Sequence, residues 1–128
     1  MKSFNNLNSF KTPLRKTVIT IGTFDGVHIG HKFVLKKVVE LADKKKYTST
    51  VLTFFPHPRM VLQQDSSIKL LNTIKEKEEL LAQVGIENLI IHPFDLEFSR
   101  LSAEDFVKEV LVDKLNVGII IIGHDHRF

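Results

Sequence analysis

The sequence predicts an α/β fold, a Rossmann-like parallel sheet with helices on both faces. Short runs rich in β-branched residues alternate with longer amphipathic runs, the pattern of parallel strands joined by helical crossovers. The last strand candidate contains four consecutive isoleucines, Ile119 to Ile122, as expected of a central strand buried on both faces. Glycines follow the first and last of these runs, at Gly22 and Gly123.

Strands are predicted over Thr17–Gly22, Ser49–Phe54, Leu89–His92 and Val117–Ile122. The first helix is predicted over Ile29–Lys45, with Val34, Leu35, Val38, Leu41 and Ala42 on one face at helical spacing. Lys32, Lys36, Lys37 and Glu40 take the other face, and Lys44 to Lys46 sit at the C-terminal end, where cations suit the helix dipole. A capping box, Thr73 with Glu76 three residues on, opens the second helix, and Gly85 ends it. The third has Ser102 as N-cap and Asp105 at the matching position, then Phe106, Val107, Val110 and Leu111 facing inward. The order is β-α-β-α-β-α-β with right-handed crossovers. The stretch Pro56–Leu71 has no clear period and reads as a loop, of a length that is often functional.

At 128 residues the chain has room for one domain and one apolar core. A hydrophobic fraction of 43% and a charged fraction of 26% are ordinary for a soluble globular protein. No run is apolar and long enough to span a bilayer, and Met1 to Lys16 lacks a signal-peptide core. With no cysteine there is neither a disulfide framework nor a thiolate metal site, which fits a cytoplasmic location. The net charge of +3 is too small to imply a nucleic-acid partner. One Tyr, no Trp and lysines scattered along a helix face argue the same way.

Ligands of such sheets sit at the carboxyl ends of the strands, near the point where strand order reverses. The loop after the first strand reads Gly22-Thr23-Phe24-Asp25-Gly26-Val27-His28-Ile29-Gly30-His31. It is neither a Walker A loop nor a GxGxxG fingerprint. His28 and His31, three apart at the start of a helix, can face one ligand. The helix amides add positive potential there, and Gly30 admits a bulky group close to the backbone. These features suit a polyphosphate. Taken singly, Asp25-Gly26 reads as a turn, either histidine as a structural one, and the pair as part of a metal site that has no third ligand nearby.

The run from Ile19 to His31 resembles the signature of bacterial FAD synthetases, members of the His-x-Gly-His nucleotidyltransferase superfamily. Later segments resemble the same family: Thr53-Phe54-Phe55-Pro56-His57-Pro58, Leu101-Ser102-Ala103-Glu104-Asp105-Phe106 and Gly123-His124-Asp125-His126-Arg127-Phe128. The resemblance implies an FMN adenylyltransferase, with ATP and FMN as substrates, Mg2+ accompanying the triphosphate, and FAD and pyrophosphate as products. It implies that His28 and His31 are catalytic and that Gly22, Thr23, Phe24, Asp25 and Gly30 bind ATP. It implies flavin or phosphate contacts for Phe54, Pro56, His57, Pro58, Asp125, Arg127 and Phe128. The chain departs from the family at Thr23, where asparagine is frequent, and at His126, where phenylalanine is usual.

After the last motif the family carries a Ser-Ser-Thr-x-x-Arg segment and then a riboflavin kinase barrel, neither of which precedes Phe128 here. The expectation is therefore one adenylyltransferase domain over residues 1–128, apparently truncated at its C-terminus, whose parent protein supplies the riboflavin kinase domain. Such a fragment is expected to be weakly active or inactive, and to self-associate through an uncovered strand edge. The alternatives are an inactive nucleotide-binding fragment and another transferase of the superfamily, cytidylyl- or pantetheine-phosphate adenylyltransferase-like.

Overall fold

The computed structural model describes residues 1–22, 29–54 and 74–122. One sheet is built from β1 (Lys2–Phe4), β2 (Thr17–Ile21), β3 (Thr48–Phe54), β4 (Asn88–His92) and β5 (Val117–Ile120). All pairings are parallel, in the order β1-β4-β3-β2-β5. The helices are α1 (Ile29–Lys45), α2 (Ile74–Val84), the single turn α3 (Leu96–Ser99) and α4 (Ala103–Asp105), which continues as a π-helix over Phe106–Lys114.

From β2 the chain steps to β3 and then β4, and comes back to lay β5 on the other side of β2. Crossovers of a single hand put helices on opposite faces when the direction of travel reverses, and two cores result. On one face Val18, Val51 and Leu89 pack with Leu35, Val38 and Ala42 of α1 and Leu81 of α2. On the other, Ile19, Leu52 and Ile90 meet Phe106, Val110, Leu111 and Leu115, joined by Leu7 and Phe10 from the N-terminal segment. Neighbouring residues of one strand thus serve different cores, as the period of two requires. Each fully buried leucine or isoleucine contributes about 1.5–3 kcal/mol relative to exposure.

Central β2 and β3 are buried along their whole length although rich in threonine. Buried hydroxyls need partners, and several of these have one. Thr17 Oγ1 donates to the Leu115 carbonyl at 2.9 Å, and Ser49 Oγ accepts the Glu87 N–H at 2.9 Å.

The α1 faces are as expected: Leu35, Val38 and Ala42 are buried, while Lys32, Lys36, Lys37 and Glu40 are exposed. Ser102 caps α4 by accepting the Asp105 N–H at 3.0 Å. Thr73, the expected cap of α2, and the loop Pro56–Leu71 lie outside the described residues.

Three expectations are corrected. The sheet has a further strand, β1, at its far edge; it is only three residues long and shows no period. β5 is an edge strand among the described residues, not a central one, and its exposure alternates. Ile119 and Ile121 pack against the α1 core, whereas Ile120 and Ile122 are exposed on the opposite face. An unbroken apolar run does not say how many of its faces are covered. Finally, Val107 points outward, 47% exposed. The π-helix widens the turn, so the Leu115 N–H reaches the Val110 carbonyl five residues back at 2.9 Å. Phe106, Val110, Leu111 and Leu115 then share the inner face and Val107 is turned off it.

α2 ends at Gly85, whose φ is +108°. Its N–H donates to Ala82 O at 3.1 Å while the Ile86 N–H donates to Leu81 O at 3.2 Å, a Schellman closure that buries Ile86. A Cβ at Gly85 would meet only Val39, with Cγ1 at 3.5 Å and Cγ2 at 3.9 Å, ordinary contacts. The Gly85→Ala substitution therefore tests backbone strain by itself. Urea denaturation should show a loss of about 1–2 kcal/mol.

Candidate functional site

The strands are parallel, so the carboxyl ends of β2, β3, β4 and β5 lie along one edge of the sheet. Strand order reverses at β2, between β3 on one side and β5 on the other, and this is where open α/β sheets form a crevice. Pairing runs on past the end of β2, since the Gly22 N–H donates to Leu52 O at 3.1 Å. α1 begins at Ile29 and packs on β2 and β3, so its N-terminus lies at the same edge.

Gly30 and His31 stand in the first turn of α1, which contains no acidic residue. A helix N-terminus carries roughly half a positive charge on amides that lack intrahelical partners. With no carboxylate in that turn to offset it, the start of α1 is suited to an anion. Gly22 and α1 thus bracket the expected phosphate loop from its two ends.

Of the other expected site residues, Thr23, Phe24, Asp25 and His28 lie outside the described residues, as do Pro56, His57, Pro58, Asp125, Arg127 and Phe128 and the side chain of His31. In sequence, residues 56–58 follow β3 and residues 125–128 follow β5, whose carboxyl ends share this edge. Phe54 is described, and its ring is a core group. It is 5% exposed and touches Phe94 at 5.5 Å and Phe98 at 5.4 Å between centroids.

His92 ends β4 beside Phe54 in register, and sequence reasoning did not single it out. Its ring tilts against Phe98 at 4.8 Å, and its Nδ1 accepts the Leu7 N–H at 3.1 Å. That bond requires an unprotonated Nδ1 and puts the neutral ring's hydrogen on Nε2. Burial pushes its pKa below the ordinary 6.5, with the nearby Asp95 carboxylate acting in the opposite direction. Asp95 itself caps α3, accepting the Phe98 N–H at 2.7 Å. The one signal of this cluster in the sequence is the pair Phe94 and Phe98, close behind a strand end.

The five-stranded parallel sheet, the reversal of its order at β2 and the helices on both faces define a Rossmann-like α/β protein. The chain belongs to the FAD synthetase family, whose model matches residues 10–128. It is 35% identical over 128 residues to the bifunctional riboflavin kinase/FMN adenylyltransferase of Buchnera aphidicola subsp. Schizaphis graminum, covering 100% of this chain and 41% of that protein. The protein of the same name from Escherichia coli strain K12 is 33% identical over 128 residues, covering 100% of this chain and 40% of its own length. The chain therefore spans about two fifths of the length of the curated relatives it matches. Among solved structures, a macrolide-efflux protein from Streptococcus pneumoniae superposes with a TM-score of 0.86 at 27% identity, covering 98% of this chain and 48% of that one.

The core role of Phe54 is directly testable. Phe54→Ala should cost about 3–5 kcal/mol of unfolding free energy in chemical denaturation, the range for a buried phenylalanine. A loss well under 1 kcal/mol would mean that the ring does not help to hold this face together.

Proposed function

We propose that the chain is the FMN adenylyltransferase domain of a longer bifunctional protein, transferring AMP from ATP to FMN with release of pyrophosphate. What carries this reading is the position of the His-x-Gly-His run. In a chain of the FAD synthetase family it spans the start of α1, at the strand-order reversal where a polyphosphate is best accommodated. The relatives are named as riboflavin kinases as well, so a riboflavin kinase domain is proposed as the partner in the parent protein.

In the proposed reaction an FMN phosphate oxygen forms a bond to the α-phosphorus of ATP in line as the bond to pyrophosphate breaks. No covalent enzyme intermediate is needed. The protein's part is positioning and stabilisation of charge. His28 and His31 donate to the triphosphate beside the amides of α1, and Gly22 and Gly30 let phosphates approach the backbone. Thr23, Phe24 and Asp25 line the ATP pocket. Pro56, His57, Pro58, Asp125, Arg127 and Phe128 are proposed for the flavin or its phosphate.

Magnesium belongs to the proposal as an ion that arrives on ATP and neutralises its phosphates. The donors contributed by the α1 start are imidazoles and amides, which suit phosphate oxygens, whereas Mg2+ takes oxygen ligands and keeps several waters. Among the described residues no three His, Asp or Glu side chains come together as a metal cage. No helix among them is long and apolar enough to cross a membrane, and a cytoplasmic site of action is part of the same proposal.

The decisive assay is FAD formation from FMN, ATP and magnesium by the full-length parent. His28→Ala and His31→Ala should each lower kcat by about two to three orders of magnitude, by analogy with lost oxyanion donors. Near-parental kcat in both variants would remove the catalytic assignment, and turnover of another acceptor in place of FMN would change the substrate.

Self-association of the 128-residue chain is proposed at β5, an edge strand among the described residues, where Ile120 and, just beyond it, Ile122 are exposed on one face. Light scattering should show a mass that rises with concentration and falls back toward the monomer in an Ile122→Lys variant. A monomer at all concentrations would contradict it.

A further inference from the structure

We infer that His92 is a pH-responsive latch, holding the N-terminal segment against the carboxyl end of β4 while its ring is neutral and releasing it when the ring is protonated. The inference does not rest on adenylyl transfer.

Among the described residues, the segment before β2 is tied to the rest of the fold at several points, one of them the Thr48 N–H of β3 donating to Lys16 O at 3.0 Å. β1 pairs along β4 through Phe4↔Ile90, and its Lys2 N–H donates to Glu87 O at 2.9 Å. Just before β2, the Asn116 side-chain amide donates to Pro13 O at 3.1 Å and Arg15 O at 3.2 Å. Between these lies a 3-10 turn, Leu7–Ser9, capped by Asn6. The turn is tied to the sheet by the bond from the Leu7 N–H to His92 Nδ1, which spans 85 residues. Leu7 within it and Phe10 just after it are buried in the core under α4 and its π-helical continuation. The turn therefore cannot lift without exposing part of that core.

An imidazole nitrogen that accepts a hydrogen bond cannot also carry a hydrogen. Protonation of His92 at Nδ1 sets two donors against each other and leaves the Leu7 amide unpaired in a partly buried site. Asp95 is the carboxylate that favours the cation. The turn and its cap contribute only Asn6, Leu7, Asn8 and Ser9, none of which is charged, and the end of β3 contributes Thr53 and Phe54. α3 adds the exposed Glu97 in its first turn. Burial outweighs the Asp95 carboxylate and lowers the pKa below 6.5. His92 then binds more protons when the segment is released or the chain unfolded than when the segment is closed. The latch is at full strength above 6.5 and weakens as pH falls from there toward the lower closed-state value.

Hydrogen exchange of the Leu7 amide, followed by NMR on the 128-residue chain, reads the latch directly. Corrected for intrinsic exchange, its opening equilibrium should rise by up to about tenfold per pH unit as pH falls through this window. In His92→Asn the side-chain oxygen can accept the same N–H and does not titrate, so Leu7 should stay protected with no pH dependence. In His92→Leu it should exchange rapidly at every pH. Should either variant fail to fold, the ring nitrogens of the parent still decide: Nδ1 should be the unprotonated nitrogen at neutral pH. Flat protection of Leu7 in the parent, an unchanged pH dependence in His92→Asn, or a proton on Nδ1 at neutral pH would each overturn the latch.

Discussion

A parallel sheet has apolar residues on both faces and must be covered on both. In this chain that constraint is met by one change of direction. After β4 the polypeptide passes back across the sheet and delivers α4 to the face that α1 and α2 leave open. The same reversal separates β3 from β5 at the end of β2. The reversal of strand order there, with α1 starting beside it, is thus a by-product of covering the sheet.

The coverage explains other features as well. β2 and β3 stay buried from end to end, so their threonines need internal partners such as the Leu115 carbonyl. On the α4 face the π-helical turns and the N-terminal residues Leu7 and Phe10 complete the layer together. The N-terminal segment is therefore part of the core, and the state of His92 bears on stability because it holds that segment in place.

Much of this is legible in the sequence. The β2–α1–β3 unit carries two strong periods and a glycine between them, and Gly85 and Ser102 act as the caps their residue types suggest. β1 was not legible, because three residues have no period and Lys2-Ser3-Phe4 becomes a strand only by pairing with β4. The isoleucines of β5 look alike whether one face or two are covered. Val107 was misplaced because residue spacing does not announce a π-helix. At the site, Gly22, Gly30 and the start of α1 could be read locally. His92 could not, since its partner is an amide 85 positions away.

The central claim is that the polyphosphate of the substrate sits over the start of α1. Titration of the 15N-labelled chain with ATP and magnesium, followed by amide chemical shifts, tests it most directly. The account predicts the largest shifts at Gly22, Gly30 and His31, at the carboxyl edge of the sheet. Shifts concentrated instead at Lys2, Thr48 and Asn88, at the opposite edge, would contradict it.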